Sequence, residues 1–276
     1  MVGDVRASGA GGTLVRDVNA DESFAKYAER GAYHWREIGR GLLAHNAFTA
    51  ERYRTVGDRG GLRDGQRVLD YGCGDGAMLG VLGRRLAGRS IELHGFDPNT
   101  FAVELAQKFL PAYGVPATIH ASTSGLPAAF FDCVLCSEVI EHASAPGDLL
   151  NEIARILKPT GRLVVTTPIR LTETPDDPNH VYEWFPDEFA TLFDPGTWRV
   201  TAHEQIVPAA AVEAYFWRPP MFARVPVFRL LCNLLSIYAG VNALSWLRLR
   251  PRLFMMQIVV AEKIELATIE MDHRTS

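Results

Sequence analysis

Three glycines alternate with other residues directly after an apolar run that is typical of a strand. They are Gly72, Gly74 and Gly76, and Asp70 precedes them. Glycine allows a sharp turn and lets a ligand approach the backbone with no Cβ in the way. A strand, a glycine loop and a following helix form the unit with which open α/β sheets hold nucleotide-like ligands. These residues therefore predict a nucleotide-like cofactor site.

A further acidic residue, Asp97, ends the next predicted strand, 91–96. A carboxylate at this place can accept hydrogen bonds from both hydroxyls of a ribose, and it would repel a 2′-phosphate. The alternative is that Asp97 caps the helix that follows. Beside a glycine loop, the ribose role is the favoured one.

The spacing and charge of the loop indicate which kind of cofactor it holds. Dinucleotide sites use Gly-x-Gly-x-x-Gly, whereas this loop reads Gly-x-Gly-x-Gly, with Asp70 before it and Asp75 inside it. Two carboxylates would repel a pyrophosphate, which such sites hold at a helix N-terminus. They suit a ligand that carries an ammonium group. S-adenosylmethionine has an α-amino group and a ribose but no phosphate.

At these residues the sequence resembles the class I S-adenosylmethionine-dependent methyltransferases. Residues 68–76 match the first motif of that family, and two further blocks follow in the family's order at 131–142 and 156–168. The match covers about residues 60–170. The subgroup that it most resembles contains small-molecule methyltransferases of the ubiquinone-biosynthesis type. The resemblance implies S-adenosyl-L-methionine as the cofactor.

The resemblance also implies which residues bind the cofactor. They are Asp70, Gly72, Cys73, Gly74, Asp97, Pro98, Ser122, Thr123, Ser137 and Glu138. In many relatives an Asp after strand three contacts the adenine amino group, and Ser122 occupies that place here. Its hydroxyl can still accept a hydrogen bond, and a backbone contact from Thr123 would also serve.

Two histidines are the candidate catalytic residues. The cofactor is already activated, so the main task is alignment, and a base is needed only if the acceptor must lose a proton. His142 follows strand four and has an ordinary pKa near neutrality, but it could instead pack at a helix start. His180 lies in the loop after strand five, over the same sheet edge. Relatives often place a histidine there, so we favour His180 slightly as base or acceptor-orienting group.

Neither of two further clusters is expected to bind a metal. Asp176, Asp177 and His180 could hold Mg²⁺, as in some sugar and catechol methyltransferases, but acidic residues beside a proline are usually solvated turn residues. Cys133 and Cys136 form a Cys-x-x-Cys in a short apolar run. Residues three apart on a strand point to opposite faces, so these thiols would not meet.

Aromatic residues near the same sheet edge are the candidates for acceptor binding. An N-terminal helical segment, 21–60, would close over the cofactor as a lid, since aromatic faces suit a sulfonium cation. The alternative is ordinary packing of an amphipathic helix on the sheet. The candidate substrate-binding residues are Tyr33, His34, Tyr182, Trp184, Phe216 and Trp217.

Residues 208–251 form a long insertion between the last two predicted strands. Its segment 230–247 has no charged residue and reaches the length of about 18 residues that a membrane span needs. The strands on either side must pair in one sheet, however, so both ends stay on the same side. We expect a helical cap over the acceptor pocket or a homodimer surface. A third reading is peripheral membrane contact through 221–250, toward a lipid-linked acceptor.

The length and composition of the chain limit the classes of protein to which it can belong. The chain has 276 residues, 47% of them hydrophobic, and a formal net charge of −4, which does not favour a nucleic-acid partner. Four cysteines and the absence of an apolar export signal predict a cytoplasmic protein with a flexible tail over 1–20.

Strands and helices alternate along the rest of the chain. This pattern predicts a doubly wound, Rossmann-like α/β sheet of seven strands, mostly parallel with an antiparallel last strand. The cofactor-binding domain would comprise 61–207 and 252–264.

The predicted function is methyl transfer from S-adenosylmethionine to an O, N or C atom of a small-molecule acceptor that is partly apolar or aromatic. A natural product and a lipid-linked saccharide both fit. An NAD-dependent oxidoreductase and a non-catalytic cofactor-binding regulator are the alternatives.

Overall fold

A computed structural model describes residues 26–175, 177, 179–218, 226–243 and 253–265. Its seven strands form one sheet in the order β3-β2-β1-β4-β5-β7-β6. The strands are β1 Arg67–Tyr71, β2 Glu92–Phe96, β3 Thr118–His120, β4 Phe131–Ser137, β5 Leu157–Pro168, β6 Trp198–Pro208 and β7 Phe254–Lys263. β1 to β5 are parallel, and β7 runs antiparallel to both of its neighbours. The predicted sheet, including its antiparallel last strand, is confirmed.

Helices cover both faces of this sheet. They are α1 Lys26–Arg30, α2 Tyr33–Ile38, α3 Ala47–Gly60, α4 Ala77–Arg85, α5 Thr100–Ala112, α6 Pro146–Ile156, α7 Pro186–Ala190, α8 Ala209–Phe216 and α9 Val227–Ala239. α3, α4 and α5 pack on one face, while α6 and α7 pack on the other. Cys133 belongs to the core between the sheet and α3, α4 and α5, whereas Cys136 belongs to the core between the sheet and α6 and α7. The prediction that the two thiols lie on opposite faces is therefore confirmed.

The N-terminal region is helical within the residues that the structure describes, as the sequence predicts for 21–60. It forms three helices, because glycines interrupt it: Gly31 takes a left-handed φ of +60° after α1, and Gly39 ends α2. Asn46 then starts α3 by accepting hydrogen bonds from the backbone N–H groups of residues 48 and 49. Residues 21–25 and the predicted tail over 1–20 lie outside the described residues.

The insertion contributes α8 and α9, which pack against α3 through a small core of their own. Within this core, the Tyr215 hydroxyl donates a hydrogen bond to Asn233 Oδ1. The Asn233 Nδ2 in turn donates a hydrogen bond of 2.7 Å to the backbone carbonyl of His45. Residues 219–225 and 244–252 of the insertion lie outside the described part. Among the helices that are described, none has the length and apolar character needed to span a bilayer. The flanking strands β6 and β7 pair with each other, as predicted.

Candidate active site

A cleft of about 210 Å³ lies at the carboxyl ends of β1 and β4. Its walls come from the glycine loop, the turn after β4, the loop after β5 and the first three helices. The lining residues are Lys26, Tyr27, Tyr33, His34, Arg52, Tyr53, Asp70, Gly72, Cys73, Gly74, Met78, Ser137, Glu138, Glu141, His142 and His180. Ten of the predicted site residues are therefore neighbours in one cavity. They are Tyr33, His34, Asp70, Gly72, Cys73, Gly74, Ser137, Glu138, His142 and His180.

The glycine loop needs glycine for two separate reasons. Gly72, Gly74 and Gly76 all take left-handed φ values, of +80°, +53° and +80°. In addition, a Cβ at Gly72 would overlap the side chain of Val139, and a Cβ at Gly74 would overlap the hydroxyl of Tyr27. The loop can therefore pass close to the turn after β4 and to α1, which narrows this end of the cleft.

Asp70, near the end of β1, is an acidic group that lines the cleft. Its side chain is buried, and its Oδ2 has no hydrogen-bond partner among the described residues. Burial, with the nearby charges of Asp97 and Asp75, raises its pKa well above the ordinary value. An unpartnered buried carboxylate favours a cation beside it, so the site fits the ammonium group of S-adenosylmethionine.

Asp75 does not face the cleft, contrary to the expectation that it would act on the ligand. It is fully buried, and its Oδ2 accepts a 3.1 Å hydrogen bond from the backbone N–H of His34. The His34 ring lies 3.3 Å from the other carboxylate oxygen. Asp75 therefore anchors α2 to the glycine loop.

Asp97 stabilises the glycine loop through a hydrogen bond to its backbone. Its Oδ2 accepts a 2.8 Å hydrogen bond from Gly74 N–H, and its Oδ1 accepts one of 2.9 Å from Asn99 N–H. Tyr27 lies over Gly74, and the charge of Asp97 contributes to its raised pKa, whose main cause is burial. Each carboxylate oxygen can accept a second hydrogen bond. The predicted contact of Asp97 with a ribose stays a prediction.

Arg52 on α3 was missed by sequence reasoning, because no motif surrounds it. Its guanidinium lies 3.4 Å from the carboxylate of Glu138, and its Nε has no partner among the described residues. Glu138 takes a left-handed φ of +58°, which is strained for a residue with a side chain. The pair places a half-buried cation in the cleft, where it fits a ligand carboxylate. Ser137 adds a hydroxyl that is hydrogen-bonded to Thr166.

The two predicted catalytic histidines are neighbours in the cleft. Their ring centroids are 5.0 Å apart. His180 Nδ1 lies 2.6 Å from Glu183 Oε1, and His142 Nδ1 lies 2.8 Å from the carbonyl oxygen of Asn179. Burial lowers the pKa of His142, which keeps its ring neutral near pH 7.

Of the alternative acidic cluster, Asp177 and His180 are in the described part of the chain, and the His180 N–H donates a 2.9 Å hydrogen bond to the carbonyl of Asp177. Asp177 pairs with Lys26 at 3.6 Å and accepts hydrogen bonds from Asn179, as a turn residue does. Asp176 lies outside the described residues.

Several predicted site residues lie away from this cleft. Pro98 and Ser122 are exposed, and the carbonyl of Thr123 accepts a hydrogen bond from Arg155. Trp184 is a core residue that packs on Phe189, and Tyr182 stacks against it from outside. Phe216 and Trp217 are half exposed at the end of α8. Their proposed contacts with cofactor or acceptor stay predictions.

The chain matches a family model described as a methyltransferase domain over residues 43–215. The mitochondrial ubiquinone biosynthesis O-methyltransferase of Schizosaccharomyces pombe is 36% identical over 109 residues, which are 37% of this chain and 38% of that protein. The chain spans between 38% and 63% of the length of the curated relatives that it matches.

Two solved structures share the fold at low identity. A coclaurine N-methyltransferase bound to N-methylheliamine and S-adenosylhomocysteine is 16% identical, with a TM-score of 0.53 over 77% of this chain and 72% of that one. A Haemonchus contortus phosphoethanolamine N-methyltransferase, bound to phosphomonomethylethanolamine and S-adenosylhomocysteine, is 17% identical, with a TM-score of 0.60 over 91% and 61%.

Sheet order, glycine loop and cleft define a class I S-adenosylmethionine-dependent methyltransferase. Because the family model covers more than half of the sequence, the chain belongs to the methyltransferase-domain family. Its cofactor is S-adenosyl-L-methionine, which sets the NAD-dependent alternative aside.

Proposed function

We propose that this enzyme methylates a small molecule that binds in the cleft beside His142 and His180. The observation that supports the proposal is that Asp70, the glycine loop and the two neighbouring histidines line one cavity. In this proposal Asp70, whose Oδ2 is unpartnered, and the glycine loop form a cofactor end, while the histidines form an end that acts on an acceptor proton.

The residues of the cleft divide the work as follows. Asp70 accepts a hydrogen bond from the ammonium group of the cofactor, and Arg52 binds the carboxylate of the cofactor. When bound, the cofactor supplies an activated methyl group, so the remaining task is to align the acceptor atom with it. Glu183 orients the ring of His180, which in turn orients the acceptor or takes its proton.

A hydroxyl is the acceptor group that this arrangement favours. An amine that is partly neutral at pH 7 attacks without help, whereas a phenol or alcohol benefits from a group that acts on its proton. The ubiquinone biosynthesis relatives that the chain resembles are named O-methyltransferases, which agrees with this choice. A natural product with a phenol and a lipid-linked saccharide are the two acceptor classes that we favour.

A direct test compares cofactor and acceptor binding. Calorimetric titration should give S-adenosylhomocysteine binding and no NAD binding. Phenols and glycolipids are then supplied with methyl-labelled S-adenosylmethionine, and transfer to oxygen is expected. Exclusive transfer to nitrogen or carbon would contradict the choice of a hydroxyl. Cofactor binding without transfer to any acceptor class would favour the regulator alternative.

The exposed face of α9 supports a second proposal, that the enzyme is cytoplasmic and contacts a membrane surface peripherally. The polarity of α9 is inverted: Asn233 and Ser236 are buried, while Phe228, Leu231 and Leu234 are exposed. Such an apolar face suits the acyl boundary of a lipid surface. In the sequence, arginines flank this helix on both sides, and they suit anionic headgroups. A lipid-linked acceptor would be reached from there. A homodimer surface is the competing outcome.

A further inference from the structure

Lys26, the first residue of α1, has no task in the transfer reaction as described above. It nevertheless lines the same cleft as His142 and His180. Its side chain is 30% exposed, so the ammonium group is only partly withdrawn from water. An ammonium group carries a positive charge and three hydrogen-bond donors. A group of this kind in the wall of a cleft can bind a ligand oxygen.

The residue after Lys26 holds α1 in place. Tyr27 is buried, and its hydroxyl lies so close to Gly74 that a Cβ at this glycine would overlap it. The backbone that carries Lys26 is therefore packed against the glycine loop. From there the side chain of Lys26 reaches the loop after β5, where its Nζ lies 3.6 Å from Asp177 Oδ2. Two consecutive residues of α1 thus contact two different loops of the cleft.

The pair with Asp177 places the ammonium group at the end of the cleft that holds the histidines. The backbone carbonyl of Asp177 accepts a 2.9 Å hydrogen bond from the N–H of His180, so Lys26 pairs with the loop that carries this histidine. Lys26 also acts on the other ring. Burial is the main cause of the lowered pKa of His142, and the positive charge of Lys26 contributes to it.

Asp177 leaves the ammonium group available to a ligand. A separation of 3.6 Å is longer than a hydrogen bond, and both side chains of the pair are partly exposed. The other oxygen of Asp177 already accepts two hydrogen bonds from Asn179. Because an ion pair that is open to water contributes little stability, exchanging it for a ligand oxygen costs little.

The two nearby acids in the turn after β4 do not cancel the charge of Lys26. Glu138 is paired with Arg52 at 3.4 Å. Glu141 is buried, and burial, followed by the charge of Glu138, raises its pKa well above the ordinary value, which favours its neutral form. This end of the cleft therefore combines two imidazoles with a positive charge.

We propose that Lys26 contacts the acceptor oxygen and stabilises its negative charge once a histidine has taken the proton. The inference rests on the proposed function, in which the acceptor is a hydroxyl. His180 takes the proton of the O–H bond, and the oxygen uses the electron pair to bond the methyl carbon while the C–S bond breaks toward sulfur. Lys26 keeps its own protons throughout. Its task is to raise the ionised fraction of the bound hydroxyl before transfer.

This role of Lys26 favours a phenol as the acceptor. A phenol has a pKa of about 10, as tyrosine does, so only about one molecule in a thousand is ionised at pH 7. An opposite charge within about 4–6 Å lowers such a pKa by about 1–3 units, which raises the ionised fraction about 10-fold or more. An aliphatic alcohol has a much higher pKa and stays protonated beside the same charge. We therefore favour the phenol over the saccharide.

The test measures the ionisation of a bound phenol directly. The full chain is saturated with S-adenosylhomocysteine and mixed with 4-nitrophenol, whose phenolate absorbs visible light and whose neutral form does not. In wild type the bound compound should ionise at least about one pH unit below the free compound. Lys26→Met should remove most of this shift, and Lys26→Arg, which keeps the charge, should retain it. Lys108→Met is the matched control, because Lys108 is exposed on α5.

The outcomes separate this role from the proposed function. S-adenosylhomocysteine titration of each variant reports whether it folds. If bound 4-nitrophenol ionises at the same pH in wild type and Lys26→Met, or if Lys108→Met removes the shift equally, the role of Lys26 is overturned while methyl transfer stands. If wild type binds S-adenosylhomocysteine but not 4-nitrophenol, the choice of a phenol fails, and the role of Lys26 fails with it. If wild type does not bind S-adenosylhomocysteine, the proposed function itself fails.

Discussion

The indole Nε1 of Trp35 donates a buried 2.7 Å hydrogen bond to the backbone carbonyl of Asp75, inside the glycine loop. The ring of Trp35 also packs directly over Gly80 in α4, where it leaves no room for a Cβ. α2 is therefore attached both to the loop and to the helix that follows it. The N-terminal segment therefore forms part of the wall of the cleft.

Replacing Gly80 by alanine tests this attachment. Gly80 has an ordinary helical backbone, so the only strain in Gly80→Ala comes from the overlap with Trp35. We expect a loss of about 1–3 kcal/mol of unfolding free energy and weaker binding of S-adenosylhomocysteine. Denaturant unfolding and calorimetry measure the two effects. Gly147→Ala, a helical glycine with open space around it, is the control. Equal cofactor affinity in both variants would show that α2 does not shape the site.

Neutralising Asp70 should have opposite effects on stability and on binding. Asp70→Asn removes the cation-seeking carboxylate, so S-adenosylhomocysteine affinity should fall at least about 10-fold. The raised pKa of Asp70 means that the folded state holds its proton more tightly than the unfolded state. Wild-type stability without cofactor therefore falls as pH rises above about 3.8, the ordinary value.

The Asp70→Asn variant has no carboxyl group at this position to titrate. Its unfolding free energy should vary less with pH and exceed that of wild type near pH 7, as measured by urea unfolding at a series of pH values. A variant that is less stable than wild type at neutral pH would contradict the account.

Asp97→Asn tests the acid at the end of β2. It keeps one acceptor oxygen for the loop N–H groups but loses the charge, and we expect S-adenosylhomocysteine affinity to fall about 10-fold or more. Asp187→Asn, an exposed acid in α7, is the control. If titration gives the same affinity for Asp97→Asn and wild type, Asp97 does not bind the ribose, and its function is limited to the hydrogen bond with the Gly74 N–H.

His180→Ala should separate catalysis from cofactor binding. We expect kcat to fall by about 10²–10⁴, the range for loss of a group that acts on the acceptor proton. The dissociation constant of S-adenosylhomocysteine should stay within about twofold of wild type, since Asp70 and the glycine loop are unchanged. Single-turnover kinetics and calorimetry provide the two numbers. Unchanged kcat in both His180→Ala and His142→Ala would mean that positioning alone suffices.

The exposed face of α9 can be tested with vesicles. Replacing Leu231 and Leu234 by glutamate should reduce co-sedimentation with vesicles that contain anionic lipid, because each charge opposes burial of the face. Leu43→Glu serves as control, since Leu43 is 76% exposed and lies outside α9. If wild type does not co-sediment, and the double variant instead turns a dimer into a monomer in light scattering, the face is a dimer interface.

Local sequence patterns were sufficient for most of the sheet. The buried run that contains Cys133 and Cys136 became β4, with the two side chains on opposite faces, because alternation on a strand depends only on the backbone. The helical character of the N-terminal segment was also predictable, but amphipathic spacing does not reveal that Gly31 and Gly39 divide it into separate helices. Asp75 was expected at the ligand and lies instead against His34, because its direction depends on where α2 docks.

The sequence by itself determined the cofactor loop. Gly72 and Gly74 require left-handed backbone angles that only glycine adopts easily, and this need is visible in the residue types alone. Only the tertiary structure decided what surrounds the loop. Glu141 meets His180 because the parallel strands β4 and β5 bring their following loops to one edge of the sheet. Arg52 meets Glu138 because α3 packs against β4 and β5. Contacts between such distant side chains follow from packing, which no local pattern encodes.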